Sequence, residues 1–433
     1  MRRNTSILLL AVGHACVDIY QGAVAALIPF FVAERDYTYA VASGIVLAAS
    51  LLSSVAQPLF GLLADRWAMP WLLPVSTLLG GVGIALSGLS GSYGLTLFFV
   101  AVSGIGVAAY HPESARVARQ ASQGSHSAMG WFSLGGNIGF ALAPLMVAAA
   151  IGHGSLRWTP VLVLPALAGV ALCVPVLRML ARPRTGTAEP RTPPSADDVA
   201  SFVKLSLAVV FRSIVFTGLS TFISLYAQQR MQGSTTAGTT ALFLLFLGGA
   251  VGSVLGGSLA GRYDRVHVSR WSYLLSIAAV TGVIYTPGPA MFLFVALTSA
   301  GLYVPFSLQV TLGQDYLPSR IGTASGITLG LTGSIGGLIS PLLGHLADTT
   351  TLQTALTPLI AMPALSWLLF RTLPEPAAPA LGPSHPRPQP HGKTRRPALT
   401  SENAYVPPDG RGRVRAWILP SAGANRPKRR GSG

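Results

Sequence analysis

What this chain has least of is charge. Only 10% of its 433 residues are Asp, Glu, Lys or Arg, and the acids are the scarcer sign, 14 against 30 bases. A soluble domain carries roughly a quarter charged residues, so a water-facing globular surface cannot be built from this composition. Cysteine is nearly absent. Cys16 and Cys173 both fall inside apolar stretches, where they say nothing about redox compartment and are read as packing residues. The eight His are scattered along the chain and form no clustered ligand set. That argues against a metal centre, and against an integral-membrane enzyme, which would need grouped His, Asp or Glu or an activated nucleophile. No cofactor is expected.

What is present is apolar: half of the residues are hydrophobic and mean hydropathy is +0.53. From Ser6 to Leu373 about twelve stretches approach the roughly 20 residues needed to cross about 30 Å of hydrocarbon as a helix. They lie near 6–33, 41–63, 70–90, 93–115, 127–151, 158–180, 203–228, 238–260, 269–287, 290–313, 322–346 and 354–372. The first begins like a signal peptide, after Arg2 and Arg3, but runs on into polar Asp18 and is read as a retained helix.

A net charge of +16 raises nucleic acid as a partner, but the bases are confined to alternate loops and the tail. With the N-terminus in the cytoplasm, the outside-facing set is only Arg35, Arg157 and Arg230, while Arg2, Arg3, Arg66, Arg116, Arg119, Arg178, Arg182, Lys204, Arg262 and Arg320 all face inside. This asymmetry follows the positive-inside rule over an even number of spans. It predicts a multi-pass protein of the cell membrane with both termini cytoplasmic, whose surroundings are the lipid bilayer and not nucleic acid.

Residues 181–202 hold Arg182, Pro183, Arg184, Pro190, Pro193, Pro194, Asp197 and Asp198 with almost no apolar periodicity, and read as a cytoplasmic linker. Residues 374–433 are rich in Pro, Gly and Arg and cannot bury enough apolar area to fold, so a disordered basic cytoplasmic tail is expected. Between them the chain repeats itself. Leu134-Gly-Gly-Asn-Ile-Gly-Phe-Ala-Leu-Ala-Pro-Leu145 aligns with Leu331-Thr-Gly-Ser-Ile-Gly-Gly-Leu-Ile-Ser-Pro-Leu342. Nearly the same offset carries Gly61, Ala64 and Arg66 onto Gly257, Ala260 and Arg262. Gly104 and Val107 fall likewise on Gly301 and Val304, and three helix pairs sharing nearly one offset predict parallel repeats, 1–180 and 203–373. The expected fold is all-α, with two six-helix bundles about a pseudo-two-fold axis and the site at their interface.

Gly61-Leu62-Leu63-Ala64-Asp65-Arg66 resembles the loop signature of the major facilitator superfamily, although Ala68, Met69 and Pro70 replace its later residues and Gly261 stands where the second copy has its acid. His14-Ala-Cys-Val-Asp18, Tyr110-His111-Pro112-Glu113 and Gly130-Trp-Phe-Ser-Leu-Gly-Gly-Asn-Ile-Gly139 together resemble its fosmidomycin resistance branch. The resemblance implies a proton-driven exporter of a small polar or anionic toxic compound, such as a phosphonate-type antibiotic, by alternating access. The fourth-span arginine of many proton antiporters is Val100 here, so coupling through that arginine is excluded. An uptake permease for a small organic anion would share the fold and the site.

Asp18 falls near mid-membrane, where an unpaired carboxylate costs several kcal/mol. His14, four residues earlier, lies on the same helical face. Arg212 is the other intramembrane charge, and the repeat maps it onto Cys16, close in axial height to Asp18. Asp18, His14 and Arg212 are therefore the candidate proton-coupling residues, with an Asp18–Arg212 pair across the cavity or a purely structural pair as the two readings. Tyr110, His111, Glu113, Asn137 and Gln309 are candidate substrate contacts. An alternative pairs Glu113 with Arg116, and helix packing is favoured for Asn137. Asp65 is expected to latch onto the start of the eleventh span near Gly322 and Thr323, with Arg66 beside it as part of the gate. The glycine-rich fifth and eleventh spans suit close helix contact. No strand precedes them, so a nucleotide loop is rejected. A monomer is expected.

Overall fold

In the computed structural model the described residues are 3–67, 69–122, 126–152, 155–180 and 196–376, and they contain no strand. Among the described residues twelve helical rods follow one another. The first half comprises α1 (Arg3–Arg35), α2 (Tyr39–Arg66), α3 (Leu72–Ser87), α4 (Tyr93–Ser122), α5 (His126–Ile151) and α6 (Leu164–Leu180). The second comprises α7 (Val199–Arg230), α8 (Thr235–Ala260), α9 (Arg265–Tyr285), α10 (Ala290–Tyr316), α11 (Ile321–Thr349) and a broken last rod, α12 (Leu352–Leu356) with α13 (Ala361–Arg371).

The sixth and twelfth rods depart from the sequence expectation in the same way. Each contains a 3₁₀ segment with a proline: Leu156–Val163, with Pro160, begins the sixth, and Thr357–Ile360, with Pro358, breaks the twelfth between α12 and α13. Proline lacks the N–H that a continuing helix needs, and both rods are capped by a hydroxyl, Ser155 Oγ on Arg157 N at 3.2 Å and Thr351 Oγ1 on Thr354 N at 3.1 Å. Two of the three arginines expected to face outside behave as a second matched pair. Arg35 donates to Gly88 O and Arg230 to Thr286 O, each at 3.0 Å, satisfying carbonyls just past the ends of α3 and α9 where a cation is favoured.

Packing repeats likewise. Contacts of α1 with α5 and α6, and of α4 with α2 and α3, recur as α7 with α11 and α13, and α10 with α8 and α9. Glycines permit the closest of these. A Cβ on Gly139 would lie 2.8 Å from Ala15 Cα of α1, and one on its repeat partner Gly336 would lie 2.8 Å from Ser213 O of α7. The halves meet through α2 with α11, α5 with α8, and α1 with α7. Outward-facing Val55, Leu62 and Leu293 stay more than half exposed, at 70%, 64% and 61%, as side chains facing lipid do.

The expected linker is described only from residue 196 onward, where it is tied down. Asp198 caps α7 by accepting from Ser201 N at 3.0 Å and donates its own N–H to Tyr316 O at 2.7 Å. Asp197 accepts from Ser319 N at 3.0 Å and from the Ser319 hydroxyl. Residues 374–376, assigned to the tail by composition, are also held: Tyr316 Oη donates to Pro374 O at 2.6 Å, and Glu375 accepts from Val266 N and from Arg265 Nε, each at 2.8 Å. The expectations for residues 181–195 and 377–433 lie outside the described residues.

Candidate transport site

Between the halves lies a cavity of about 1190 Å³, lined by α1, α2, α4 and α5 on one side and by α7, α8 and α10 on the other. Its walls run from His14 and Asp18 to Gln57, Gly257 and Ser258, near the ends of α2 and α8 on the face where α1 begins. At the opposite face the halves are clamped. Asp348, at the end of α11, accepts from the first two N–H groups of α2, Tyr39 at 2.7 Å and Ala40 at 2.9 Å. These are groups a helix leaves unsatisfied, and the dipole there favours an anion. Gln229 of α7 donates to Tyr39 Oη at 2.8 Å, and the Tyr39 ring meets Phe222 edge-on at 6.5 Å. The cavity therefore opens toward the face on which the membrane domain begins and ends.

Its polar focus is Asp18, 5% exposed. His14 Nε2 lies 3.3 Å from Asp18 Oδ2, and His111 Nε2 lies 3.1 Å from Oδ1. Each imidazole is anchored at its other nitrogen: His14 Nδ1 is 3.0 Å from Phe132 O, and His111 Nδ1 is 2.7 Å from Val107 O. A carbonyl oxygen only accepts, so both Nδ1 atoms carry a proton. Both Nε2 atoms then face the carboxylate, and the contact is attractive only when an additional proton, or another small cation, sits between them. The donor atoms of the trio all lie within 4.8 Å of one another, so the sequence-level view that the histidines form no cluster is corrected: helix packing brings together what lies far apart along the chain. Gly136 of α5 makes room for the trio, since a Cβ there would meet Asp18 Oδ2 and lie 2.7 Å from the His14 ring.

The sequence profile of the Major Facilitator Superfamily matches residues 10–341. The chain belongs to that superfamily. It is 30% identical over 374 residues to the fosmidomycin resistance protein of Escherichia coli (strain K12), covering 82% of this chain and 90% of that one. It is 28% identical to YfnC of Bacillus subtilis (strain 168), an uncharacterised transporter of the superfamily, over 84% and 91% of the two chains. Among solved structures, a bacterial homologue of the human lysosomal transporter Spinster superposes with TM-score 0.70 at 16% identity, covering 84% of this chain and 95% of that one. The chain is thus a multi-pass membrane transporter of the superfamily, with its two bundles and the cavity between them.

Within that frame the residues singled out by sequence separate. His14, Asp18, His111 and Asn137 line the cavity. Tyr110, Glu113 and Gln309 do not, and the expectation that they face the substrate path is corrected. Tyr110 is 1% exposed, within the apolar core. Glu113 is fully buried and takes both Nε, at 2.9 Å, and Nη2 of Arg116, the pairing held as its alternative. Gln309 donates to Tyr273 Oη at 2.6 Å inside the second half.

Arg212 is 1% exposed and lies behind two cavity-lining rings, its guanidinium 5.0 Å from the Phe306 centroid and 5.9 Å from that of Tyr303. Among the described residues, the ionisable groups within ion-pair distance of Asp18 are the two histidines. For the expected gate, Arg66 and Thr323 are exposed, while the Asp65 side chain and the burial of Gly322 lie outside what the structure describes. Sequence reasoning missed the Asp348 clamp and the aromatic wall of Phe216, Phe246, Tyr303 and Phe306. For the wall a signal existed in Tyr303 and Phe306, spaced three apart on one face of α10.

Proposed function

We propose that this protein is a proton-coupled exporter of small polar or anionic toxic compounds, phosphonate-type antibiotics among them, working by alternating access. The face on which α1 begins and α13 ends is cytoplasmic in this reading, supported by the arginine asymmetry of the loops. The observation that carries it is the trio at the cavity wall: two imidazoles with their Nδ1 protons fixed on backbone carbonyls and their Nε2 atoms turned onto one buried carboxylate. Such a set is stable only while it holds a cation on the Asp18 side, which in this reading is the proton. A rearrangement of α1, α4 and α5 that separates the groups, or a cargo that competes for them, exchanges protons with the cavity water.

The name of the Escherichia coli relative supports efflux and a phosphonate among the cargoes. Asn137 and Gln21, both on the cavity wall, add neutral hydrogen-bonding groups beside the trio. Arg212 acts on this site through the rings in front of it and not by direct pairing. Asp65 and Arg66 remain the proposed gate on the cytoplasmic side, opposite the Asp348 clamp. The protein works as a monomer, since each chain holds both halves of the site.

The test is a pH-dye measurement in inverted vesicles energised to an acid interior, with phosphonates, other antibiotics and sugars added singly. Export by antiport predicts alkalinisation of the lumen on adding a cargo, absent in Asp18→Asn vesicles containing equal protein. No response to any phosphonate or other acid, with intact protein, would contradict this reading and favour uptake.

A further inference from the structure

The cavity wall carries a chain of aromatic rings, most of them on the half opposite the trio. Phe140 of α5 meets Phe246 of α8 with centroids 5.4 Å apart, Phe246 meets Phe216 of α7 at 6.1 Å, Phe216 meets Tyr303 of α10 at 4.8 Å, and Tyr303 meets Phe306 at 5.5 Å. All five rings line the cavity. This is a continuous chain of rings from four helices and both halves, turned toward an open space. Leaving apolar surface on a water-filled space costs about 25 cal/mol per Å², and mostly apolar walls with a few convergent polar groups are the usual make-up of a ligand site.

Behind two of these rings sits a cation. Arg212 is buried on the protein side of Tyr303 and Phe306, 5.9 Å and 5.0 Å from their centroids. A ring attracts a cation through its electron-rich face. With a guanidinium already against these rings, the positive field reaching the cavity opposes a second cation and favours a neutral or negatively charged π-system. Across the cavity, two imidazoles around one carboxylate give a trio that is net positive when both rings are protonated. Asn137 supplies a neutral hydrogen-bonding group close by.

We infer that the cargo best matched to this cavity is a flat aromatic acid, its ring stacked on the Phe216, Tyr303 and Phe306 wall and its acidic group turned to His14 and His111. This rests on the reading of the cavity as the substrate path and adds to it the apolar half of the cargo. A small acid without a ring uses only one wall. An aromatic amine meets a positive field at the ring wall, and at the trio as well when both imidazoles are protonated.

The experiment is isothermal titration of the purified full chain, without any ion gradient, with four probes: naphthoate, cyclohexanecarboxylate, naphthylmethylamine and methylphosphonate. Ring stacking of ordinary strength predicts naphthoate binding about tenfold tighter than cyclohexanecarboxylate, with the amine weaker than naphthoate. Phe306→Leu, which keeps apolar bulk but removes the ring, is expected to erase most of that preference. Phe306→Tyr is expected to retain it, and to show that the position tolerates substitution in a monodisperse protein. Equal binding of naphthoate and cyclohexanecarboxylate, tighter binding of the amine, an unchanged preference in Phe306→Leu, or no binding of any probe would each overturn the inference. Because no gradient is present, naphthoate binding with failed proton coupling would sink the coupling proposal alone. Proton-coupled transport of methylphosphonate with no naphthoate preference would sink this one alone.

Discussion

His111 turns its Nε2 onto Asp18 Oδ1 at 3.1 Å while its Nδ1 is held by the Val107 carbonyl at 2.7 Å. The ring therefore cannot swap its two nitrogens to suit the carboxylate without losing a backbone contact. A fixed tautomer leaves the cation between Nε2 and Oδ1 as the adjustable element of the pair. His14 repeats the arrangement from α1, through Phe132 O at 3.0 Å, so the carboxylate is approached by two rings with the same constraint.

The space for this trio is guaranteed by a missing side chain. In Gly136→Ala the new methyl would lie 2.7 Å from the His14 ring and collide with Asp18 Oδ2, and overpacking of this kind costs about 1–3 kcal/mol. The expected outcome is a folded protein with a lower melting temperature and little transport. Gly94→Ala, where a Cβ meets nothing within 4 Å, is expected to leave both unchanged. Thermal unfolding and vesicle flux on the two variants check this, and equal behaviour would contradict it.

Asp348 holds the cavity shut on the far face through the first two N–H groups of α2. Asp348→Asn keeps one acceptor oxygen and loses the charge. Hydrogen bonds to a charged group contribute about 1.5–3 kcal/mol, so the population open on that face is expected to rise about tenfold or more. Spin-label distances between the α1–α2 and α11–α12 turns measure it. A distance distribution matching the wild type would show that the clamp is incidental.

On the other face, Asp197 is held below the usual carboxylate range by the Ser319 hydroxyl and the Ser319 backbone N–H, and Asp198 by the Ser201 N–H. A lowered folded-state pKa means these contacts are in place above the ordinary aspartate value of about 4 and are lost only as pH falls through the lowered one. Hydrogen exchange at Ser201 and Ser319 is expected to stay slow as pH drops through that ordinary value and to quicken only below it, after correction for intrinsic exchange. Release already at the ordinary value would contradict the assignment.

The spans and their repeat were legible because hydropathy and glycine spacing are local properties of the chain. Of the trio, His14 and Asp18 were readable as a pair, being one helical turn apart. His111 reaches them only because α4 packs against α1, which spacing does not encode. Arg212 illustrates the complementary limit: the repeat offset gives a residue's height along its helix but not the direction of its side chain. That is how a charge level with Asp18 lies behind Tyr303 and Phe306. The prolines near the start of the sixth and twelfth rods were visible in the sequence, yet a hydropathy window averages over the short 3₁₀ turns they impose.

The proton reading of the trio is tested most directly by separating cargo movement from proton movement in one preparation. Proteoliposomes of Asp18→Asn and His111→Gln, with wild type alongside, are assayed for gradient-driven accumulation of a cargo and for its gradient-free counterflow, with a chelator present to remove bound metal. Wild type is expected to accumulate cargo in the presence of the chelator. The variants are expected to keep counterflow while gradient-driven accumulation falls by about 5- to 150-fold, the usual span of a coupling free energy. Undiminished accumulation in Asp18→Asn, or loss of wild-type accumulation on adding the chelator, would contradict a proton store at this site.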